Sequence, residues 1–154
     1  MLFKIYIVNV WELIVMTHFH KTHVMCAVCG KEENNYYSLG AEFTIKEDHT
    51  VQSVFTVLPR HQGYFGLLHG GIASSLLDAA MTHCLLSQQI TALTAQLDVR
   101  YHHPIKVGDQ INIIGELLTV KRGIYFLKAY LNVGQETRVS ANGKFIASKL
   151  AEID

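Results

Sequence analysis

Two features of this chain have the residue types for chemistry: the run His69-Gly70-Gly71 and, a little further on, the carboxylate of Asp78. Gly70 and Gly71 have no side chains, so a ligand can come close to their backbone N–H groups. The residues after them, Ile72 to Leu86, are dominated by Ala, Leu, Ser and Met and read as a helix. The first N–H groups of a helix lack internal partners and form the positive end of its dipole. Such donors polarise a carbonyl oxygen or stabilise an oxyanion. Asp78 is the only residue of that helix fully charged at neutral pH. In a helix apolar around most of its circumference, a carboxylate is costly unless it is partnered or used. The plainer alternatives are glycines that only allow tight packing and an Asp78 satisfied by Ser74, Ser75 or Thr82.

Spacing separates the two features. At about 1.5 Å per residue, Gly70 and Asp78 lie about 12 Å apart along one helix. They cannot both touch one reacting carbonyl. Two antiparallel copies of the helix across a two-fold axis would bring Gly70 of one subunit near Asp78 of the other. On the helical wheel Gly71, Ser74, Ser75, Met81, Thr82 and Leu85 share the Asp78 side. Ile72, Ala73, Leu76, Ala80 and His83 lie opposite and are expected to face a sheet. His83 therefore reads as a core histidine, and Cys84, with no matched base, as a buried thiol.

The surrounding elements read as strands. Ala41, Phe43 and Ile45 alternate with polar neighbours, and Val51, Ser53, Phe55 and Val57 share one face, which suggests a hairpin. Gly63 and Gly66 loosen the loop that follows Pro59. After the helix, Leu93, Ala95, Leu97, Val99 and Tyr101 alternate until Pro104 ends the run. Three more strand candidates follow, separated by turns at Lys121-Arg122-Gly123 and Gly134-Gln135. Short connections imply an antiparallel sheet with the helix against one face: an α+β layer of about six strands wrapped around one long central helix.

Composition excludes several classes. Lys plus Arg and Asp plus Glu each number 13, so there is no electrostatic footprint for nucleic acid or an anionic membrane. The high apolar content points to surface covered by another subunit. Three cysteines do not make a secreted disulfide framework, and a reducing, cytoplasmic setting is expected. The first segment is interrupted by Lys4, Asn9 and Glu12 and is too short to span a bilayer. Residues 1–25 are read as an N-terminal extension and 26–154 as the domain; within the extension, residues 1–15 are either part of an added amphipathic helix or a stretch preceding a true start at Met16. Between them, His18, His20 and His23 precede Cys26-x-x-Cys29-Gly30, a spacing able to hold zinc. The preferred reading is a metal-free turn with a left-handed Gly30 and two buried thiols.

HGGIASSLLDAAM, the preceding HQGYFGLL and the later TAQLDVRYHHPIKVGD resemble the hotdog-fold acyl-CoA thioesterases, in particular the phenylacetate-pathway (PaaI-like) group, over roughly Cys26 to Ile146. The resemblance implies a hotdog fold and hydrolysis of an acyl-CoA to free acid and CoA without a cofactor. It implies homodimers or homotetramers with active sites shared between subunits, and neither nucleic acid nor membrane as partner. It makes Asp78 the general base or nucleophile and has the Gly70 N–H polarise the thioester carbonyl. His69 would fix the loop-to-helix turn, Gly71, Gln62 and Gly63 would line the substrate, and Thr94 would hold the attacking water. This chain departs from the pattern at Gly63, where many members have Asn, with Gln62 as a substitute, and at Ala79, where some have an acid. Lys106, Lys121, Arg122 and Arg138 are read as ordinary solvated charges rather than phosphate ligands. The competing functions are a non-catalytic acyl-CoA-binding hotdog module, a hotdog hydratase or dehydratase, and a small zinc-bound interaction protein.

Overall fold

A computed structural model describes residues 23–148; the expectations for residues 1–15, Met16, His18 and His20 lie outside the described residues. Six strands form one antiparallel sheet: β1 (Thr44–Ile45), β2 (Val51–Thr56), β3 (Ala92–Tyr101), β4 (Gln110–Lys121), β5 (Ile124–Val133) and β6 (Glu136–Ala147). Their spatial order is β1-β2-β4-β5-β6-β3. The helix α1 (Gly70–Leu86) connects β2 to β3 and so carries the chain across four strand spacings, about 19 Å. Its 17 residues, about 25 Å long, are enough for that crossing. The later strands form a meander because their turns are tight. β4 and β5 are joined by Arg122 and Gly123 alone, both at positive φ (53° and 78°), the geometry of a turn that matches strand twist. This is the expected α+β hotdog arrangement.

Alternation places the core. Val51, Ser53, Phe55 and Val57 are buried, as are Ile111, Ile113, Leu127, Ala129 and Leu131 on the inner face of the middle strands. They pack against Ala73, Leu76, Leu77, Ala80, Met81 and Leu85 of α1. Met81 and Leu85, expected on the Asp78 side of the wheel, are fully buried. The coiled sheet covers more of the helix than a flat one would, so the accessible strip narrows to Gly71, Ser74, Ser75, Asp78 and Thr82. Among the described residues no helix is long and apolar enough to cross a membrane.

Two sheet glycines let the helix settle this closely. A Cβ on Gly115 of β4 would lie 2.8 Å from the carbonyl oxygen of Ala80, and one on Gly143 of β6 would lie 2.7 Å from Met81 Sδ. The first obstacle is backbone and the second includes the movable end of a side chain. Gly115→Ala is therefore expected to cost about 1–3 kcal/mol in denaturant unfolding, and more than Gly143→Ala. Equal costs would mean that the helix backbone gives way as easily as Met81.

The expected first strand is shorter than its sequence pattern. Leu39 and Ala41 donate their N–H groups to Ala27 and Val28 (both 2.9 Å), and Gly40 between them has φ 70°. That backbone is therefore committed to the cysteine-bearing segment, leaving only Thr44–Ile45 to pair with β2. Gly30 is also not as expected. It is absent from the positive-φ residues, and its role is close approach, since a Cβ there would lie 2.5 Å from the Cys26 carbonyl oxygen.

Candidate active site along the central helix

The loop before α1 is tied down from both sides. Leu68 N–H donates to Ile105 O, Val107 N–H to Gly66 O, and His69 N–H to His61 O, each at 2.9 Å. His69 is extended (φ −65°, ψ 130°) and acts as the helix N-cap, its Nδ1 accepting from Gly71 N–H at 2.9 Å. This is the turn-fixing position anticipated for it. Gln62 Oε1 accepts from Gly66 N–H at 3.0 Å, so its side chain braces its own loop. Gly63 packs on the His69 ring, where a Cβ would come within 3.0 Å of an imidazole carbon. Glycine at position 63 thus gives the capping histidine its room.

Gly70 opens the helix, and among the described residues its N–H has no acceptor. Its carbonyl, by contrast, is held from two sides. Tyr101 Oη donates to Gly70 O at 2.8 Å, Ser74 Oγ donates to the same oxygen at 3.0 Å, and the two hydroxyls lie 2.7 Å apart. Two clefts meet at Gly70. One, of about 300 Å³, is lined by Leu68, Gly70, Ala73, Tyr101, Pro104 and Ile105 among others. The other, of about 470 Å³, is lined by Gly63, Tyr64, Leu68, His69 and Gly70.

Asp78 is half-buried on the accessible strip, and Thr94 Oγ1 donates to its Oδ1 at 2.6 Å. The helix hydroxyls that were candidates to satisfy it are used elsewhere. Ser74 donates to Gly70 O, Ser75 to Gly71 O, and Thr82 to the main-chain oxygen of Asp78 itself. Burial pushes the Asp78 carboxyl above the ordinary carboxylate range; the Thr94 hydrogen bond pulls the other way, and negative charge at nearby Cys26 adds a smaller upward push.

A β-bulge brings Thr94 to this place. In a regular strand Thr94 and Tyr101, seven residues apart, would point to opposite faces. The β3–β6 register shifts between Thr94 and Gln96, so one extra residue restores a common face. Both side chains then reach α1, at Asp78 and at Gly70. The expected single face of Leu93, Ala95, Leu97, Val99 and Tyr101 is corrected accordingly. Leu97 and Val99 pack on the core, whereas Leu93 is 52% exposed and Ala95 is also exposed. The sequence marks Tyr101 only as a strand residue; its contact with the helix start depends on that bulge, which the alternation of the sequence hides.

The remaining candidates fall into place. His83 is buried, stacked on Phe43 at 4.5 Å, and burial lowers its pKa to about 4. Cys84 is fully buried, and desolvation raises its thiol to about 12. Neither group touches Asp78's carboxylate among the described hydrogen bonds. Arg138 is ion-paired with Glu136 at 3.1 Å.

A central helix wrapped by a six-stranded antiparallel sheet, with a carboxylate on its uncovered strip and a glycine pair at its start, defines a hotdog fold. The family model for the thioesterase superfamily matches residues 65–129, the stretch carrying α1, β3, β4 and the first part of β5. Over those residues the chain is similar to that superfamily. It is 25% identical over 87 residues to acyl-coenzyme A thioesterase 13 of Mus musculus, covering 55% of this chain and 62% of that protein, so the match spans less than two thirds of the relative. Among solved structures, one described as a thioesterase superfamily protein superposes with TM-score 0.73 at 21% identity, covering 89% of this chain and 80% of its own. Another, a hypothetical thioesterase from Streptococcus pneumoniae TIGR4 with coenzyme A, gives TM-score 0.66 at 20% identity, covering 70% of this chain and 88% of its own.

Proposed function

We propose that the chain is an acyl-CoA thioesterase acting through Asp78 and the Gly70 N–H. The observation that carries this reading is the state of Asp78: a half-buried carboxylate on the accessible strip, left unsatisfied by its own helix and held by Thr94 from the neighbouring strand. The match to the thioesterase superfamily model and the coenzyme A in the streptococcal neighbour support CoA as the carrier.

The chemistry follows from these parts. Asp78 takes a proton from water, or attacks directly, and a bond forms to the thioester carbon. Charge that builds on the carbonyl oxygen meets the Gly70 N–H at the positive end of α1. The C–S bond then breaks. With Asp78 as base, the CoA sulfur leaves with the proton taken from water. With Asp78 as nucleophile, it leaves as thiolate; water then hydrolyses the acyl–Asp78 anhydride to free acid, restoring the carboxylate and supplying the thiol proton. Because the two groups sit at different turns of one helix, each site joins Gly70 of one subunit to Asp78 of its partner. The edge strand β3 fits that assembly: among the described residues it pairs only with β6, and Leu93 and Tyr101 on it are about half exposed. In the loop before α1, Tyr64 and Phe65 are 87% and 97% exposed, a large apolar surface for a lone subunit. A homodimer, or a tetramer of such dimers, covers it. The unpaired Cys26, Cys29 and Cys84 fit the expected cytoplasmic setting.

The test is CoA release from a panel of aliphatic and aromatic acyl-CoAs, with light scattering to give the oligomeric state. Turnover by an assembled dimer or tetramer supports the proposal. Acyl-CoA binding without release would replace it with the non-catalytic binding module, and a monomer that turns over would remove the shared site. Thr94→Val is expected to raise the Asp78 pKa further, since the hydrogen bond that stabilises its charged form is lost. The acid limb of the pH–rate profile should therefore move to higher pH; an unmoved limb would separate Thr94 from the titrating group.

A further inference from the structure

The cysteine-bearing segment converges on the far end of the same helix. His23, Cys29 and His83 bring one donor atom each to within 4.8 Å of one another, and His23 Nδ1 is already 3.3 Å from Cys29 Sγ. Tetrahedral zinc with Zn–S near 2.3 Å and Zn–N near 2.0–2.1 Å needs donors about 3.3–3.8 Å apart, so a contraction of about 1 Å completes the geometry. Cys26 lies beside this trio, close enough to Cys29 and His23 for both to act on its thiol's charge, and is the fourth candidate donor. The donors then run His23-x-x-Cys26-x-x-Cys29 along one turn, with His83 reaching in from α1.

The local backbone is built as a knuckle. Cys26 N–H donates to His23 O at 3.1 Å, Gly30 N–H to Cys26 O at 2.9 Å, and Val28 N–H points at Cys26 Sγ at 3.4 Å. The last contact donates a hydrogen bond to a sulfur, as a metal-bound thiolate requires. The Gly30 approach to Cys26 O has no room for a side chain. A Cys26–Cys29 disulfide would use only the two sulfurs, whereas three donors meeting from a turn and a helix, with Cys26 adjacent, match a metal.

We propose that His23, Cys26, Cys29 and His83 form a structural zinc site that clasps the segment before β1 onto α1. Two thiolates and two imidazoles select zinc among the common divalent ions, and four protein ligands leave no open position for catalysis. The zinc would anchor residues 23–30, and through the bonds of Ala27 and Val28 also Leu39 and Ala41, to the helix one turn beyond Asp78. This departs from the metal-free turn preferred on sequence alone, and it does not depend on the thioesterase reading.

The experiment uses the full chain purified without chelator, with elemental analysis and Co²⁺ substitution after metal removal. About one zinc per chain is expected, together with a thiolate-to-cobalt charge-transfer band and the intense d–d bands of a tetrahedral site. The Cys26→Ser/Cys29→Ser variant, shown folded by circular dichroism, should lose both signals. If that variant does not fold, His23→Ala is the second probe, with an expected loss of zinc affinity of at least about 10- to 100-fold, the scale set by changes to groups that only support a ligand. Folded wild type with no bound zinc and no cobalt bands would overturn the site. So would a Cys26–Cys29 disulfide in protein kept under reductant, or an undiminished zinc content in the folded double-serine variant.

Discussion

Asp78→Asn is expected to lower acyl-CoA turnover roughly 10²- to 10⁴-fold while making the fold more stable at neutral pH. The loss follows from removing the base or nucleophile. The gain follows from the direction of the Asp78 shift. Burial raises its pKa in the folded protein above the unfolded value, so the folded state holds the proton more tightly. Stability is then full below the ordinary carboxylate range and falls as pH rises through the folded value. Asn carries no charge, and its side-chain oxygen still accepts from Thr94 Oγ1. Wild type and variant should therefore unfold alike in acid and diverge above it, with the variant the more stable. Denaturant melts across pH, run beside CoA-release assays, check both halves. Wild-type turnover in the folded variant would remove Asp78 from the chemistry. A variant less stable than wild type at neutral pH would mean that the carboxylate is held for structure, not at a cost.

Much of this arrangement is legible in the sequence because it depends on patterns with a fixed period. The apolar run after His69-Gly70-Gly71 could only be a buried helix, and the alternation at Val51, Ser53, Phe55 and Val57 holds residue by residue. The turn at Arg122-Gly123 was equally visible, since its residue types announce the backbone they adopt. What escaped was set by irregularities in those periods or by contacts between distant segments. A bulge of one residue in β3 moves Thr94 onto the face of Tyr101, and no alternation rule locates it. The narrowing of the helix strip reflects how far the sheet coils, which places Met81 and Leu85 inside. The convergence of His83 with His23 and Cys29 joins residues about sixty positions apart, so spacing along the chain shows only the turn half of that cluster.

The Gly70 N–H can be removed without disturbing the helix, and the expected result is a loss of roughly 10²- to 10³-fold in turnover. Proline is the substitution that does this. Gly70 is the first residue of α1, where proline is well tolerated because the N–H there has no intrahelical partner. Proline also requires an extended residue before it, and His69 is already extended at ψ 130°. A Cβ at position 70 would sit 3.5 Å from Tyr101 Oη, ordinary van der Waals contact. The same contact is made in Gly70→Ala, which keeps the N–H and is the matched control. Gly70→Pro should thus unfold close to wild type in denaturant yet lose most of its kcat, whereas Gly70→Ala should stay near wild type in both. If alanine and proline reduce turnover equally, the effect is steric and the N–H is not the carbonyl-polarising group. If proline costs nothing, the oxyanion is held elsewhere, and the two clefts that meet at Gly70 would mark substrate passage rather than the reacting centre.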